Sequence, residues 1–565
     1  MPKEGHPDTA LAILIIAVIT LLALIALFYF VRKRRDKTLA RAFPQRADGP
    51  IVRQGGCVIA YHEEAREIGE AVLRAGGNAF DAFVATAAAE NVMSEGMSSF
   101  AGPLGVMVYR AENDQVVYMD ADFNDPVDPS AYGTLTDKEL GKAVLVPGAP
   151  AGLEALATRY GRLSFSELLE PAIALAEDGY PVNRMLAVAI ASYGQVVKKT
   201  DYGRNTFFPH GQPLKIGEVV KQPEVAEFLR RLGQEGSAYI YRGDWGDRFL
   251  SEVETHGGGL TAKDLAGYDV KWCDPWTTSY RGYTIHSSSC RSYGGLWVLL
   301  ALKTLEQTTL PATPRYWEDA DTLEQMIRIS HQVWSEPDIF NYRLLDNPEF
   351  VRSLLTAEHA SSIWARVRDK TPLNFLGLSG SHSYHIIVHD DEGNIASGTT
   401  TIYANPWADG LFVEGVPLAS AGRVPWNTKP GQRRLSGLSI HLACKDGQPR
   451  FAVGSISNSL AEASFQFLVK LIDYQMSVRD TVSTPRFGSF DAKGDPTKPR
   501  INFGRNWLDP RVDSRIVKTL KARGLGIKQD GAVDTGLGAV MRIESGGKVE
   551  GITAPVPYLS NPYGV

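Results

Sequence analysis

Residues 379–403 read SGSHSYHIIVHDDEGNIASGTTTIY, and the way this stretch folds governs how the rest of the chain is read. His382, His385 and His389 stand in H-x2-H-x3-H spacing with Asp390 alongside. On a helix, His385 and His389 would lie one turn apart and share a metal ion. But Ile386, Ile387 and Val388 between them are β-branched, and the DDEGN that follows is turn chemistry. On a strand, residues four apart share a face at a separation of about 13 Å, given roughly 3.3 Å per residue, and His382 points to the other face. One ion does not bridge that distance, so no metal site is expected.

The strand reading has a consequence. With residues 390–394 as the turn of a hairpin, 389 faces 395 and, by the same count, Ser383 faces Thr401. Directly opposed Cβ atoms lie roughly 5 Å apart, within hydrogen-bonding reach for two hydroxyls, and a slip of one residue would separate them. A hydroxyl at the head of a strand, steadied by a second hydroxyl, is how amidases with an N-terminal nucleophile are built. In those enzymes the chain cuts itself just before a Ser, Thr or Cys, and the freed α-amine acts as the base. Ser/Thr pairs also occur on strands for structural reasons, so the spacing alone leaves both readings open.

The bulk composition narrows the field. A chain of 565 residues, 44% hydrophobic and 22% charged, is long enough for a large core. A net charge of −5, with no basic stripe interleaved with aromatics, excludes a nucleic-acid partner. Cys57, Cys273, Cys290 and Cys444 are scattered without a CxxC pair, which argues against a zinc knuckle and against a disulfide-dense scaffold. Four buried thiols are expected, with isolated disulfides as the alternative.

Residues 10–31, ALAILIIAVITLLALIALFYFV, form an apolar run broken only by Thr20 and Tyr29, long enough for a bilayer-spanning helix in contact with lipid. It is followed by RKRRDK instead of a small-residue cleavage site, which separates it from a signal peptide. A single-pass membrane protein is therefore expected, with a tail at 1–9, an anchor at 10–31, a basic linker at 32–54 and the main domain at 55–565. The basic flank, and the absence of any Asn-x-Ser/Thr acceptor, put that domain on the cytoplasmic side.

Along the main domain, a helix is expected from His62 to Ala75, stopped at Gly76-Gly77. A second helix, AFDAFVATAAAENVM, is apolar on nearly every side and should be deeply buried. Ser164–Glu167 has capping-box spacing, Thr261–Asp264 a looser version of it, and residues 294–368 read as mostly helical. After Phe375, strand pairs dominate to residue 460, a further helix follows, and AVMRIESGGKVEGIT reads as a last strand pair. Helices, then a sheet, then more of each give an α+β layered architecture.

Several long segments, in order, resemble the gamma-glutamyltranspeptidase (glutathione hydrolase) family. They are EIGEAVLRAGGNAFDAFVATAAAENVMSEGMSSFAG, VPGAPAGLEALATRYGRLSFSELLEPAIALAEDGYPV, GGGLTAKDLAGYDVKWCDPWTTSYRGYTIHSS and LIDYQMSVRDTVSTPRF. The resemblance covers most of residues 55–555. It implies the αββα N-terminal-nucleophile hydrolase fold, self-cleavage into a large part (55–382) and a small part (383–565), action on γ-glutamyl amides such as glutathione at the outer cell surface, and no metal or organic cofactor. SYHIIVHDDEGN matches the family's nucleophile segment, which implies catalytic roles for Ser383 as nucleophile, His385 as its neighbouring histidine and Thr401 as the supporting threonine.

The implied substrate-binding positions depart from the family. Asp122 stands where an arginine holds the glutamyl α-carboxylate, a reversal of charge. Tyr403 replaces an asparagine, and Val416 and Ala419 replace the residues that grip the α-amine. Ser436 remains from a Ser-Ser pair whose second member is Gly437, and Ser457-Asn458 replaces the Gly-Gly that supplies oxyanion-hole amides. Each lost charged hydrogen bond is worth on the order of 2 kcal/mol in binding. The expectation is a membrane-anchored, family-like protein with a degenerate glutamyl pocket, without ordinary γ-glutamyl transfer, serving to bind or scaffold a protein partner. The alternative is an active amidase, with Ser383 as nucleophile after self-cleavage, on glutathione or another small γ-glutamyl-like amide.

Overall fold

The computed structural model describes residues 50–131, 139–371, 383–403, 406–423, 429–456, 459–488, 506–529 and 537–554. In chain order the main strands are Ile51–Gln54 (β1), Cys57–Ile59 (β2), Leu104–Arg110 (β3), Gln115–Ala121 (β4), Lys271–Cys273 (β5), Trp276–Tyr280 (β6) and Tyr283–Ser287 (β7). They continue with Ser383–His389 (β8), Ile395–Thr401 (β9), Ser439–Lys445 (β10), Gln448–Ile456 (β11), Leu537–Ile543 (β12) and Lys548–Thr553 (β13). A six-stranded sheet runs β2-β8-β9-β3-β4-β5, and a seven-stranded sheet runs β1-β13-β12-β11-β10-β7-β6. Neighbouring strands in both are antiparallel.

The two sheets pack face to face, with Ile59, Met107, Tyr118, Ile387, Ile440 and Leu442 among the apolar side chains buried together between them. Helices cover both outer faces, which completes the αββα order. On the six-stranded side lie Glu63–Arg74 (α1) and Ala79–Met93 (α2); on the seven-stranded side lie Tyr293–Leu305 (α3) and Leu460–Ile472 (α4).

Local chemistry explains why these elements start and stop where they do. The backbone turns left-handed at Gly76 (φ 95°) just after α1, a conformation that costs glycine little. All fifteen residues of α2 are buried, as its all-round apolar surface requires. Asn78 caps it by accepting from the Phe80 and Asp81 amides, while the Asp81 carboxylate accepts the Asn78 N–H. The capping boxes at Ser164–Glu167 and Thr261–Asp264 both form. Much of residues 294–368 is helical, including Ala320–Trp334 and Ala357–Arg368.

Two expectations are corrected. No helix among the described residues is long and apolar enough to cross a membrane, which stands against a single-pass membrane protein. Residues 10–31, on which that expectation and its lipid contact rested, lie outside the described residues. The cysteines are not four thiols: Cys273 and Cys290 form a disulfide, and Cys57 and Cys444 are buried and free. The bridge ties edge strand β5 of one sheet to the segment that leads from β7 of the other into α3. Pairing across 17 residues needs the β5 edge of one sheet to meet the segment that follows β7 of the other, which spacing in the sequence does not reveal.

A candidate active site at the head of the central hairpin

Strands β8 and β9 pair in the register expected from the turn, with Ser383 opposite Thr401 and His389 opposite Ile395. Ser383 opens its strand and Thr401 closes the partner strand; both are buried. Side chains alternate across a strand, so Ser383 and Thr401 share the face of His385, Ile387, Thr399 and Ser397, which is turned toward the second sheet. The Thr401 hydroxyl oxygen accepts the Tyr403 N–H at 3.1 Å.

His385 lies deep on that face. Its Nδ1 is 2.7 Å from the Thr399 hydroxyl and its Nε2 is 3.0 Å from the Ser397 hydroxyl. Burial pushes its imidazole down to about 3, so it is neutral at physiological pH. Both ring nitrogens are thus engaged away from Ser383, and the ring serves as a neutral pillar between the sheets. Across from it, His441 on β10 contacts the Ser287 and Ser439 hydroxyls at 2.9 and 2.7 Å. Burial, and then the nearby His385, hold His441 down to about 3 as well.

Of the implied substrate-binding residues, Asp122, Tyr403 and Ser436 come together in space although they are far apart along the chain. Asp122 follows the end of β4 and is buried. Its Oδ1 accepts the Phe123 N–H at 2.7 Å, and its own N–H donates to Asp120. Burial, and then the Asp120 carboxylate, push the Asp122 carboxyl up to about 7, against the pull of the Ser436 hydroxyl, the Phe123 amide and Arg433. Tyr403, with a left-handed backbone (φ 50°), bends back so that its phenol oxygen accepts the Gly437 N–H at 2.9 Å and lies 3.3 Å from the Ser436 hydroxyl. Tyr403 therefore links the Ser383–Thr401 pair to the group formed by Asp122, Ser436 and Gly437. Val416 and Ala419 are buried apolar residues. Ser457 and Asn458 lie outside the described residues.

Arg433 is the neighbour that sequence reading missed. It donates to the main-chain carbonyl of Asp122 and, at 2.9 Å, to Asn124 Oδ1, and its Nε pairs with Asp120 Oδ1 at 3.2 Å. A cation therefore sits beside Asp122, but its donors go to carbonyls and to Asp120. The sequence signal for it is slight, an adjacent pair Arg433-Arg434, and both arginines are buried in the fold. Ser436 in turn donates its N–H to the Arg291 carbonyl at 3.0 Å, next to the Cys273–Cys290 bridge.

Comparison with known proteins agrees with this architecture. A glutathione hydrolase proenzyme of Bacillus subtilis (strain 168) is 28% identical over 482 residues, covering 77% of this chain and 81% of its own. An acylase ACY 1 proenzyme of Pseudomonas sp. (strain V22) is likewise 28% identical, over 87% of this chain and 90% of its own. The crystal structure of a cephalosporin acylase from Bacillus halodurans has the same fold, with a TM-score of 0.77 at 24% identity over 91% of this chain and 96% of its own. The family model for gamma-glutamyltranspeptidase matches residues 65–556, so the chain belongs to the gamma-glutamyltranspeptidase family.

Proposed function

We propose that this protein is an N-terminal-nucleophile amide hydrolase of the acylase kind, with Ser383 as nucleophile, acting on a small amide whose acyl part is not γ-glutamyl. The observation that carries this reading is the Ser383–Thr401 pair, buried and in register at the head of the hairpin. In the reaction, the Ser383 hydroxyl attacks the carbonyl that precedes it, the peptide C–N bond breaks as the acyl group moves to the Ser383 oxygen, and water hydrolyses that ester, which frees the upstream carboxylate, the Ser383 hydroxyl and its α-amine. The freed α-amine then takes the Ser383 proton as that oxygen attacks a substrate amide. The amine product leaves with the proton, and water hydrolyses the acyl ester.

The acyl pocket supports a change of substrate. In place of a cation for an α-carboxylate it offers Asp122, a carboxyl that exchanges its proton near neutrality, and the Tyr403 phenol already engages Ser436 and Gly437. A substrate carboxylate would meet repulsion from ionised Asp122 and would have to displace the phenol. An uncharged acyl group, or one with a hydrogen-bond acceptor for protonated Asp122, suits the site better. The similarity to acylases as well as to glutathione hydrolases agrees with this. Of the departures that motivated a purely binding role, those at Asp122, Tyr403, Val416, Ala419 and Gly437 lie at the implied acyl-binding positions and leave the Ser383–Thr401 pair intact.

A panel of 4-nitroanilides tests the reading. An uncharged acyl anilide should be hydrolysed at least ten times faster than the γ-glutamyl anilide, and Ser383→Ala should abolish both activities. Preference for γ-glutamyl, or hydrolysis that persists in Ser383→Ala, would overturn it.

A further inference from the structure

The face of the hairpin opposite Ser383 and Thr401 changes character along its length. Farther down, Ile386, Val388 and Ala396 join the apolar core packed around α2. At the head, the register partners Tyr384 and Thr400 meet polar and charged groups instead. The Tyr384 phenol donates to the Glu95 carboxylate and lies 3.2 Å from the Ser94 carbonyl. The Thr400 hydroxyl donates to Asn91 Oδ1 at 3.1 Å.

Glu95 is itself held from two further sides. His62 Nε2 is 2.7 Å from its Oε1, and the Asn183 amide donates to the same oxygen at 2.9 Å. The other ring nitrogen of His62 is 2.6 Å from Glu90 Oε2, and Glu90 Oε1 accepts the Tyr61 and His62 amides. Burial opposes charge on His62, but Glu95 and Glu90 outweigh it and hold the imidazole well above its usual range, so it is a cation between two carboxylates. Glu95 keeps a left-handed backbone (φ 48°), which is costly for a non-glycine residue and persists only where the surroundings fix it. His62, Glu90, Glu95 and Tyr384 are each no more than 5% exposed.

A buried ionic network of this kind is often no more stabilising than apolar packing, and its best-attested use is to fix one geometry. Here it lies one residue from the proposed nucleophile. A strand whose first residue becomes a chain terminus on cleavage tends to fray unless it is tied down. We propose that the His62–Glu95–Tyr384 network, with Asn91 holding Thr400, positions the Ser383–Thr401 pair: both residues that neighbour the pair are anchored to the C-terminal end of α2, so the two hydroxyls stay opposed. The four groups are positioning residues acting through the strands. The inference rests on Ser383 being the nucleophile.

Two near-isosteric changes test it in the full chain. Tyr384→Phe keeps the ring contacts with Tyr61 and His62, whose centroids both lie 5.4 Å away, and Thr400→Val keeps the side-chain shape. Self-cleavage before Ser383 and hydrogen exchange in the peptide 383–388 are measured together with the melting temperature. Each variant should cleave at least ten times more slowly and the doubly changed chain slower still. Exchange at the strand head should rise ten-fold or more, with exchange in α2 unchanged and the melting temperature within about 3 °C of wild type. Unchanged cleavage and unchanged exchange would overturn the proposal, as would a uniform rise in exchange with a lower melting temperature, which would mark a merely structural role. If the wild-type chain does not cleave before Ser383, the nucleophile reading fails by that result, and the exchange comparison alone decides whether the network holds the strand head.

Discussion

Ser383 and Thr401 stand directly opposite each other across the antiparallel pair β8–β9, and Tyr403 returns its N–H to the Thr401 hydroxyl oxygen at 3.1 Å. The register puts the Thr401 side chain on the same face as Ser383, directly across the strands. Replacing Thr401 by Val keeps the β-branched shape and removes the hydroxyl. Cleavage before Ser383 should slow by about 10- to 100-fold, the worth of a hydrogen bond to a group that gains charge. A time course on denaturing gels measures it.

Gly454 on β11 lies against the His385 ring so closely that an added Cβ would come within 2.0 Å of a ring carbon. Neither that ring, bonded to Thr399 and Ser397, nor the paired backbone of β11 has room to give. Gly454→Ala should destabilise the fold by about 1–3 kcal/mol, read from urea unfolding. If it unfolds at the same urea concentration as wild type, His385 is not the rigid pillar described here.

Buried neutral histidines make the fold sensitive to acid. Burial holds His385 and His441 down to about 3, and His331 and His286 down to about 4. The unfolded chain binds protons at these residues below about pH 6.5 while the folded chain does not, so stability falls with pH from there to the folded values. The slope approaches about 1.4 kcal/mol per pH unit for each histidine. His62 has the opposite sign: its raised value adds stability that is complete below about pH 6.5 and is lost as pH rises through the folded value. Unfolding free energies measured from pH 7 to 4 should decline steeply, and His441→Gln should decline less steeply than wild type.

Asp122 titrates in the other direction from an ordinary carboxylate. Because its carboxyl is raised to about 7, the folded chain keeps a proton that the unfolded chain has released above about pH 4. That contribution to stability is present at low pH and is lost between about pH 4 and 7, at up to about 1.4 kcal/mol per unit. Asp122→Asn removes this dependence, so the variant should gain stability relative to wild type as pH rises to 7. A parallel pH series of thermal melts checks the sign.

Part of this was legible in the sequence. The β-branched run and the DDEGN turn fixed the hairpin register, because a period of two and a short turn leave one alignment. The all-round apolar pattern gave the buried helix α2, and the capping boxes fell at their expected places. What was not legible depends on contacts distant along the chain. Arg433 reaches Asp122 across 311 residues, and Tyr384 reaches Glu95 across 289. The disulfide depends on edge strand β5 meeting the segment that follows β7 of the other sheet, and neither periodicity nor composition encodes that. His385 could be placed on a strand, but not found to have both nitrogens engaged by hydroxyls of the neighbouring strand.

The central claim, that Ser383 is an N-terminal nucleophile, is tested most directly by a denaturing gel of the purified protein with N-terminal sequencing of every band. The account predicts two fragments, the smaller beginning at Ser383, and a single intact chain for Ser383→Ala. A wild-type chain that stays intact, or one cut elsewhere, would leave Ser383 without the α-amine it needs and would contradict the account.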